Sequence, residues 1–281
     1  MSTLRPEEYL LVEFNNFPIV EYGSNTNLSY DGDGDIELLP GVHDKSLLMS
    51  KSGSFRLTAD SRYNNFRKEF SVGFWLNSVS LSDKIIGENI YSAVMPLVSI
   101  GQATLLEGEY DLRAGLFCIS EKCVFRNFNQ LVFTILGSSG SKHEYESELY
   151  EAGIFNHFLL SVNSETKVIE LYINGVESIL TATINGEVPV ILGTPGSSDF
   201  LINHSIVGDQ NNFERNSGLI DDLFVISQAV TENYKISKII SDGFASYIEE
   251  TSGNISEYIF EAKISFSQKT NITPPVTAVD S

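Results

Sequence analysis

The chain has 281 residues with 37 acidic and 18 basic side chains, a formal net charge of −19, which repels phosphate backbones and anionic lipid and sets nucleic acid aside as a partner. Hydrophobic residues at 42% and charged residues at 20% allow one sizeable core, and the supply of Phe, Tyr, Ser, Thr, Asn and Gly suits pleated strands joined by tight turns. No window approaches the ~20 apolar residues of a membrane span, and Met1-Ser-Thr-Leu-Arg-Pro-Glu-Glu lacks the basic and apolar segments of an export signal, so neither a membrane anchor nor Sec export is expected.

In chain order, Leu10-Leu-Val-Glu-Phe14 reads as an opening strand and the turn-rich stretch 25–35 as a long loop. Residues 46–57 alternate loosely about Gly53. Glu69-Phe-Ser-Val-Gly-Phe-Trp-Leu-Asn77 alternates better, placing Phe70, Val72, Phe74 and Leu76 toward a core and Trp75 on the opposite face. Further strands are expected at 95–100, 115–119, 131–136, 158–162, 168–173, 188–192 and 220–226. Asn174-Gly175 supplies the positive φ of a type I′ turn after the strand 168–173. Thr231 is a candidate N-cap for one short helix to Asp242, with Tyr234, Ile236, Ile239 and Ile240 on its apolar stripe and Gly243 as its stop.

Strands every 10–30 residues with no helices alternating between them predict an all-β, two-sheet antiparallel sandwich over residues 1–250, with one short helix after the last core strand. Residues 251–281 are expected to form a C-terminal extension: one more strand at Tyr258–Phe266, then an extended arm through Pro274-Pro275. Cys118 and Cys123 fit neither a zinc knuckle nor a redox pair, leaving two thiols or a hairpin disulfide. The sequons at Asn27, Asn203, Asn254 and Asn271 are no more than chance supplies.

Three ordered segments resemble the laminin-G-like, pentraxin-type jelly rolls of the concanavalin A-like lectin/glucanase superfamily. Leu39-Pro-Gly-Val-His-Asp-Lys-Ser-Leu47 leading into Phe70–Leu76 is similar to that family's glycine-rich loop and first core strand, with Asp44 in place of a usual glycine. Ala152–Ser161 followed by Val168–Val176 resembles its central hairpin, with Phe155 where tryptophan is common. Ser217-Gly-Leu-Ile-Asp-Asp-Leu-Phe-Val-Ile226 resembles its closing strand. The resemblance implies a two-sheet jelly roll and makes His157 a structural strand residue; since buried polar groups are normally paired, its imidazole is expected to be hydrogen-bonded beneath the sheet.

Candidate chemistry is sparse. A retaining glycosidase needs two carboxyl groups about 5–5.5 Å apart. The nearest approach is Glu144-Tyr-Glu-Ser-Glu148, which lacks the order found in the superfamily's hydrolases and reads better as a solvated edge. No Gly-x-Ser-x-Gly elbow serves a histidine. No catalytic residue is assigned, and no cofactor is expected beyond a structural calcium. For that ion, Asp31, Asp33 and Asp35 offer oxygen ligands in one turn, although Ile36 stands where an EF-hand requires glycine. The resemblance adds Asp221 and Asp222 on the closing strand, the alternative being aspartates that cap loop amides. Candidate sugar contacts are Tyr63, Asn203, His204, Asn211, Asn212 and Phe213, whose aromatic and amide groups suit stacking and hydrogen bonding.

These readings together predict a non-enzymatic structural or adhesion component of a tailed-phage virion, as tail, fibre or capsid decoration. It would join a larger assembly of virion proteins through its C-terminal arm and display a lectin-like face to cell-surface glycan. The rivals are a secreted or surface carbohydrate-binding module and, behind it, a polysaccharide hydrolase.

Overall fold

The computed structural model describes residues 4–32, 36–49, 53–78, 84–86, 89–91, 94–106, 109–125, 127–203 and 218–252. Its first strands are β1 (Tyr9–Glu13), β2 (Val20–Glu21), β3 (Thr26–Asn27), β4 (Ser29–Gly32), β5 (Leu38–Pro40), β6 (Lys45–Leu48), β7 (Gly53–Leu57) and β8 (Glu69–Asn77). There follow β9 (Lys84–Ile86), β10 (Asn89–Tyr91), β11 (Val94–Leu106), β12 (Glu109–Phe125), β13 (Phe128–Leu136), β14 (Lys142–Glu146) and β15 (Tyr150–Glu151). The rest are β16 (Phe155–Asn163), β17 (Val168–Ile173), β18 (Val176–Ser178), β19 (Thr181–Ile184), β20 (Phe200–Ile202) and β21 (Leu219–Ile226), then helices α1 (Asn233–Asp242) and α2 (Phe244–Ser252).

These strands form the expected two-sheet antiparallel jelly-roll sandwich. One sheet runs β18-β17-β16-β8-β21-β1-β2-β3, with β6 also on β21 and β5 on β6; the other runs β19-β14-β13-β12-β11-β20-β7-β4, with β15 on β13. The chain crosses between sheets at both rims, from β3 to β4 on one side and from β18 to β19 on the other. Between the sheets lies an apolar interior that includes Phe70, Val72, Phe74, Leu171 and Ile220, with Ile173 partly buried against it. The period-two assignment of inward residues therefore holds, and each such side chain contributes about 1.5–3 kcal/mol of transfer free energy.

The outer face of the first sheet is largely buried as well, so β8, β16 and β21 are buried along most of both sides. Leu11, Leu159, Phe224 and Ile226 meet Ile236, Ile239, Phe244 and Ile248 of the two helices in a second core. Phe224 and Phe244 stack with ring centroids 3.8 Å apart. Gly73 makes room for this layer, because a Cβ there would sit 2.2 Å from the Phe224 ring. Among the described residues no helix is long and apolar enough to cross a membrane.

Several local expectations are corrected. The loop expected over 25–35 contains β3 and β4. The strand expected at 188–192 is absent: Pro189 cannot donate to a ladder, and Leu192 makes a single bridge to Gly137. The helix expected from 231 begins at Asn233 with Glu232 as its cap and without a side-chain cap bond. A second helix, α2, follows the turn at Gly243 (φ 81°). Cys118 and Cys123 lie five residues apart on β12, about 16 Å at strand rise, which rules out a bridge between them. The expected strand at Tyr258–Phe266 and the arm beyond lie outside the described residues. Asn174 and Gly175 do take φ of 52° and 81°, as a type I′ turn requires.

Candidate functional site

The rim where β3 hands over to β4 carries a polar cleft of about 280 Å³, lined by Ser24, Thr26 and Asn27 at the edge of the first sheet and by Ser29 and residues 56–60 on the side of the second. The sequence builds it from short elements. Buried Leu28 dives into the core and its amide donates to Ile19 O (2.8 Å), so Asn27 and Ser29 on either side are left facing solvent. Ser29 Oγ donates to Arg56 O (3.0 Å), tying β4 to β7. Arg56 reaches Asp199 at 2.7 Å, and Asp199 Oδ1 accepts from the Ala59 amide (2.8 Å), fixing the segment 56–60.

Behind the cleft stands a buried ion pair. Glu21 has no exposed surface, yet its carboxylate accepts from Leu11 N (3.2 Å), Gly23 N (2.7 Å), Ser24 N (2.9 Å), Ser24 Oγ (2.6 Å) and Arg62 Nη2 (2.5 Å). This count of donors offsets the desolvation of the charge. Arg62 Nε in turn lies 3.0 Å from Asp60 Oδ2, and Asp60 Oδ1 caps the 3-10 helix Ser61–Arg67 through Arg62 N (2.9 Å). Ser24 and Asp60 are thus held in the cleft wall by groups inside it. What remains for a ligand is the acceptor side of the exposed Ser24, Thr26 and Ser29 hydroxyls, whose protons go to Glu21, Ser24 O and Arg56 O, together with the Asn27 amide, the Thr58 hydroxyl and the charged groups of Arg56 and half-buried Asp60.

The side chains singled out in the sequence lie elsewhere. Tyr63 is fully buried, stacked on Phe66 at 6.4 Å, and burial raises its phenol pKa. Asn203 is 2% exposed. Neither offers a surface to a sugar, which corrects both assignments: the 3-10 turn that carries Tyr63 points its ring into the sandwich. His204, Asn211, Asn212 and Phe213 lie outside the described residues, as do Asp33 and Asp35, and Asp31 is exposed on β4.

Asp221 and Asp222 are buried at a bulge in β21, where Asp222 takes φ 46°. Asp221 Oδ2 accepts from Val42 N (2.7 Å) and His43 N (2.9 Å), and Oδ1 accepts from Asp222 N (2.8 Å). Gly41 permits the approach, since a Cβ there would fall 2.4 Å from Asp221 Oδ2. Asp44 adopts φ 85°, so the turn keeps a left-handed residue where the resembling family places glycine. Asp222 Oδ2 accepts from Phe244 N (2.9 Å) at the start of α2. Burial raises the pKa of both carboxyls, that of Asp222 to about 7. The pair therefore ties a loop and a helix to the sheet, which is the amide-capping alternative. Among the described residues no group of three metal-ligating side chains forms.

His157 is buried on the same face, with Trp75 edge-on at 5.1 Å and His43 edge-on to Trp75 at 6.0 Å. The His157 ring nitrogens meet no protein partner among the described residues, contrary to the hydrogen-bonded imidazole expected from the usual pairing of buried polar groups. Burial, with the nearby His43, lowers its pKa to about 3. The carboxylates of the 144–148 run are engaged: Glu144 with Lys142 (3.1 Å), Glu146 with Lys122 (2.9 Å), and Glu148 with Ser178 Oγ and Ile179 N (3.2 Å each). Glu144 and Glu146 are ion-paired on β14, which is flanked by β13 and β19 and is therefore not the solvated edge expected of this run.

Sequence reasoning missed the cleft because its residues come from two segments about thirty positions apart, brought together by the pairing of β4 with β7. The polar run 24–29 was a visible signal, but only topology brings it to 56–60.

No family model and no curated protein matches the chain by sequence. Solved structures resemble its fold. The binding domain of botulinum neurotoxin serotype C1 superposes with a TM-score of 0.57 at 16% identity, covering 84% of this chain and 52% of that one. A structure of botulinum neurotoxin type C, which needs interaction with two ganglioside molecules to enter cells, gives 0.54 at 15%, over 86% and 52%. This chain spans about half the length of both. Domain 4 of AbnA, a GH43 extracellular arabinanase from Geobacillus stearothermophilus, in complex with arabinotriose, gives 0.50 at 16%, over 83% of this chain and all of that domain.

Proposed function

We propose that this chain is a non-enzymatic glycan-binding sandwich and that it binds sugar at the cleft between β3 and β7. The observation that carries this reading is a solvent-facing cluster of hydroxyl, amide and charged groups held in place by a buried ion pair. Sugars present alternating donors and acceptors, and a pre-set array of such groups binds them without ordering cost. The fold likeness to domains whose known ligands are gangliosides and arabinotriose supports it. A glycan array probed with the full chain and with the Asn27→Ala/Thr58→Ala variant tests it: binding by the parent that is lost in the variant is expected, and binding indifferent to both substitutions refutes it.

Within that reading we place the protein as an adhesion component of a tailed-phage virion, docking to other virion proteins through residues 251–281. An acidic, lectin-like sandwich suits display on a particle surface. Mass spectrometry of purified particles decides this placement. Absence from them leaves a secreted or surface carbohydrate-binding module.

A further inference from the structure

We propose that the cleft selects uncharged oligosaccharides and discriminates against sialylated or uronic ones, an inference that deepens the glycan-binding reading and rests on it. Capture of a sugar carboxylate is strongest at a cation whose charge no carboxylate already balances. Two guanidinium groups stand at or behind the cleft, and the charge of each is already balanced by a carboxylate. Arg56, with its side chain 54% exposed, already holds Asp199 at 2.7 Å. Arg62 is enclosed in the wall, held by Glu21 at 2.5 Å and Asp60 at 3.0 Å.

The local balance is three carboxylates, Glu21, Asp60 and Asp199, against those two cations, on a chain whose net charge is −19. An incoming anion would meet a negative potential and would compete for Arg56 with Asp199, which also accepts the Ala59 amide that shapes the site. The Ser24, Thr26 and Ser29 hydroxyls, which already donate within the protein, offer acceptors, and the Asn27 amide and Thr58 hydroxyl add donors, a mixture that suits neutral sugar hydroxyls. None of the lining residues is aromatic, so discrimination comes from directional hydrogen bonds and charge rather than from stacking on a ring. The volume of about 280 Å³ is at the small end of ligand sites, suited to a short stretch of glycan.

The test is calorimetric titration of the full chain with arabinotriose and xylotriose as neutral probes, and with sialyllactose and a galacturonic acid trimer as acidic ones. Each probe is measured on the parent, on Asn27→Ala and on Asp199→Asn. The amide of Asp199→Asn still accepts from Ala59 N while releasing Arg56. We expect acidic probes to bind at least tenfold more weakly than the better neutral probe, and Asp199→Asn to narrow that gap severalfold. Acidic probes that bind as tightly as neutral ones and lose affinity in Asn27→Ala would overturn the selectivity while leaving the glycan site standing. Binding of any probe that Asn27→Ala leaves unchanged would overturn the site itself.

Discussion

Two polar regions of this sandwich, the cleft at the β3 to β7 rim and the buried cluster of Asp221, Asp222, Trp75 and His157 beneath the helices, put similar side chains to opposite uses. At the rim five donors converge on the buried Glu21 carboxylate, although Arg62 Nη1 finds no hydrogen-bond partner among the described residues, and the outer groups face water. Beneath the helices the aspartates are spent on amides of the loop 42–43 and of α2, and the His157 nitrogens find no protein partner among the described residues. Burial of polar groups by itself therefore does not mark a ligand site. A buried scaffold supporting exposed donors and acceptors does.

The contrast can be broken at its strongest point by removing Arg62. Arg62→Ala leaves the Glu21 carboxylate buried and without its cation, which costs about 3–5 kcal/mol; denaturant melts check this, and pairing it with Glu21→Gln should recover part of the loss. On the other side, Asp221→Ala strands the Val42 and His43 amides and should cost about 1–3 kcal/mol, with faster hydrogen exchange confined to the loop 41–44.

A pH series sharpens the same comparison. Burial holds Asp222 near 7 against an ordinary 3.8, and His157 near 3 against 6.5. Between about pH 4 and 6.5, the folded chain keeps a proton on Asp222 that the unfolded chain releases. Over the same window it withholds from His157 a proton that the unfolded chain takes up. Acidification thus stabilises the fold through Asp222 and destabilises it through His157, each by about 1.4 kcal/mol per pH unit. Relative to the parent, Asp222→Asn should make stability fall more steeply as pH drops, and His157→Gln less steeply, as read by chemical denaturation at stepped pH. Profiles that both follow the parent would contradict the burial of these groups.

The smallest effect is expected where function is placed. Asn27→Ala and Thr58→Ala, both exposed, should change stability by no more than about 0.5 kcal/mol.

Much of the fold was legible because a period of two leaves a strong mark: Phe74, Leu171 and Ile220 could face only one way in strands that alternate. Trp75 was correctly set on the other face of β8, yet the second helix that covers this side of the sheet gave no warning before Gly243. Tyr63 was misread because an aromatic residue among asparagines looks like a sugar platform, and only the 3-10 turn shows its ring directed inward. The cleft was illegible for a deeper reason. Ser24, Asn27, Arg56 and Thr58 carry no spacing signal, and they become neighbours only when β4 pairs with β7.

Backbone amide NMR of the full chain titrated with arabinotriose puts the ligand on one rim or another. Shift changes confined to the amides of Ser24–Ser29 and Arg56–Asp60, and absent in Asn27→Ala, are the expected outcome. Perturbations centred on the opposite rim at β18 and β19, or on the β21 bulge, with residues 24–29 silent, would place the binding surface elsewhere and overturn the assignment.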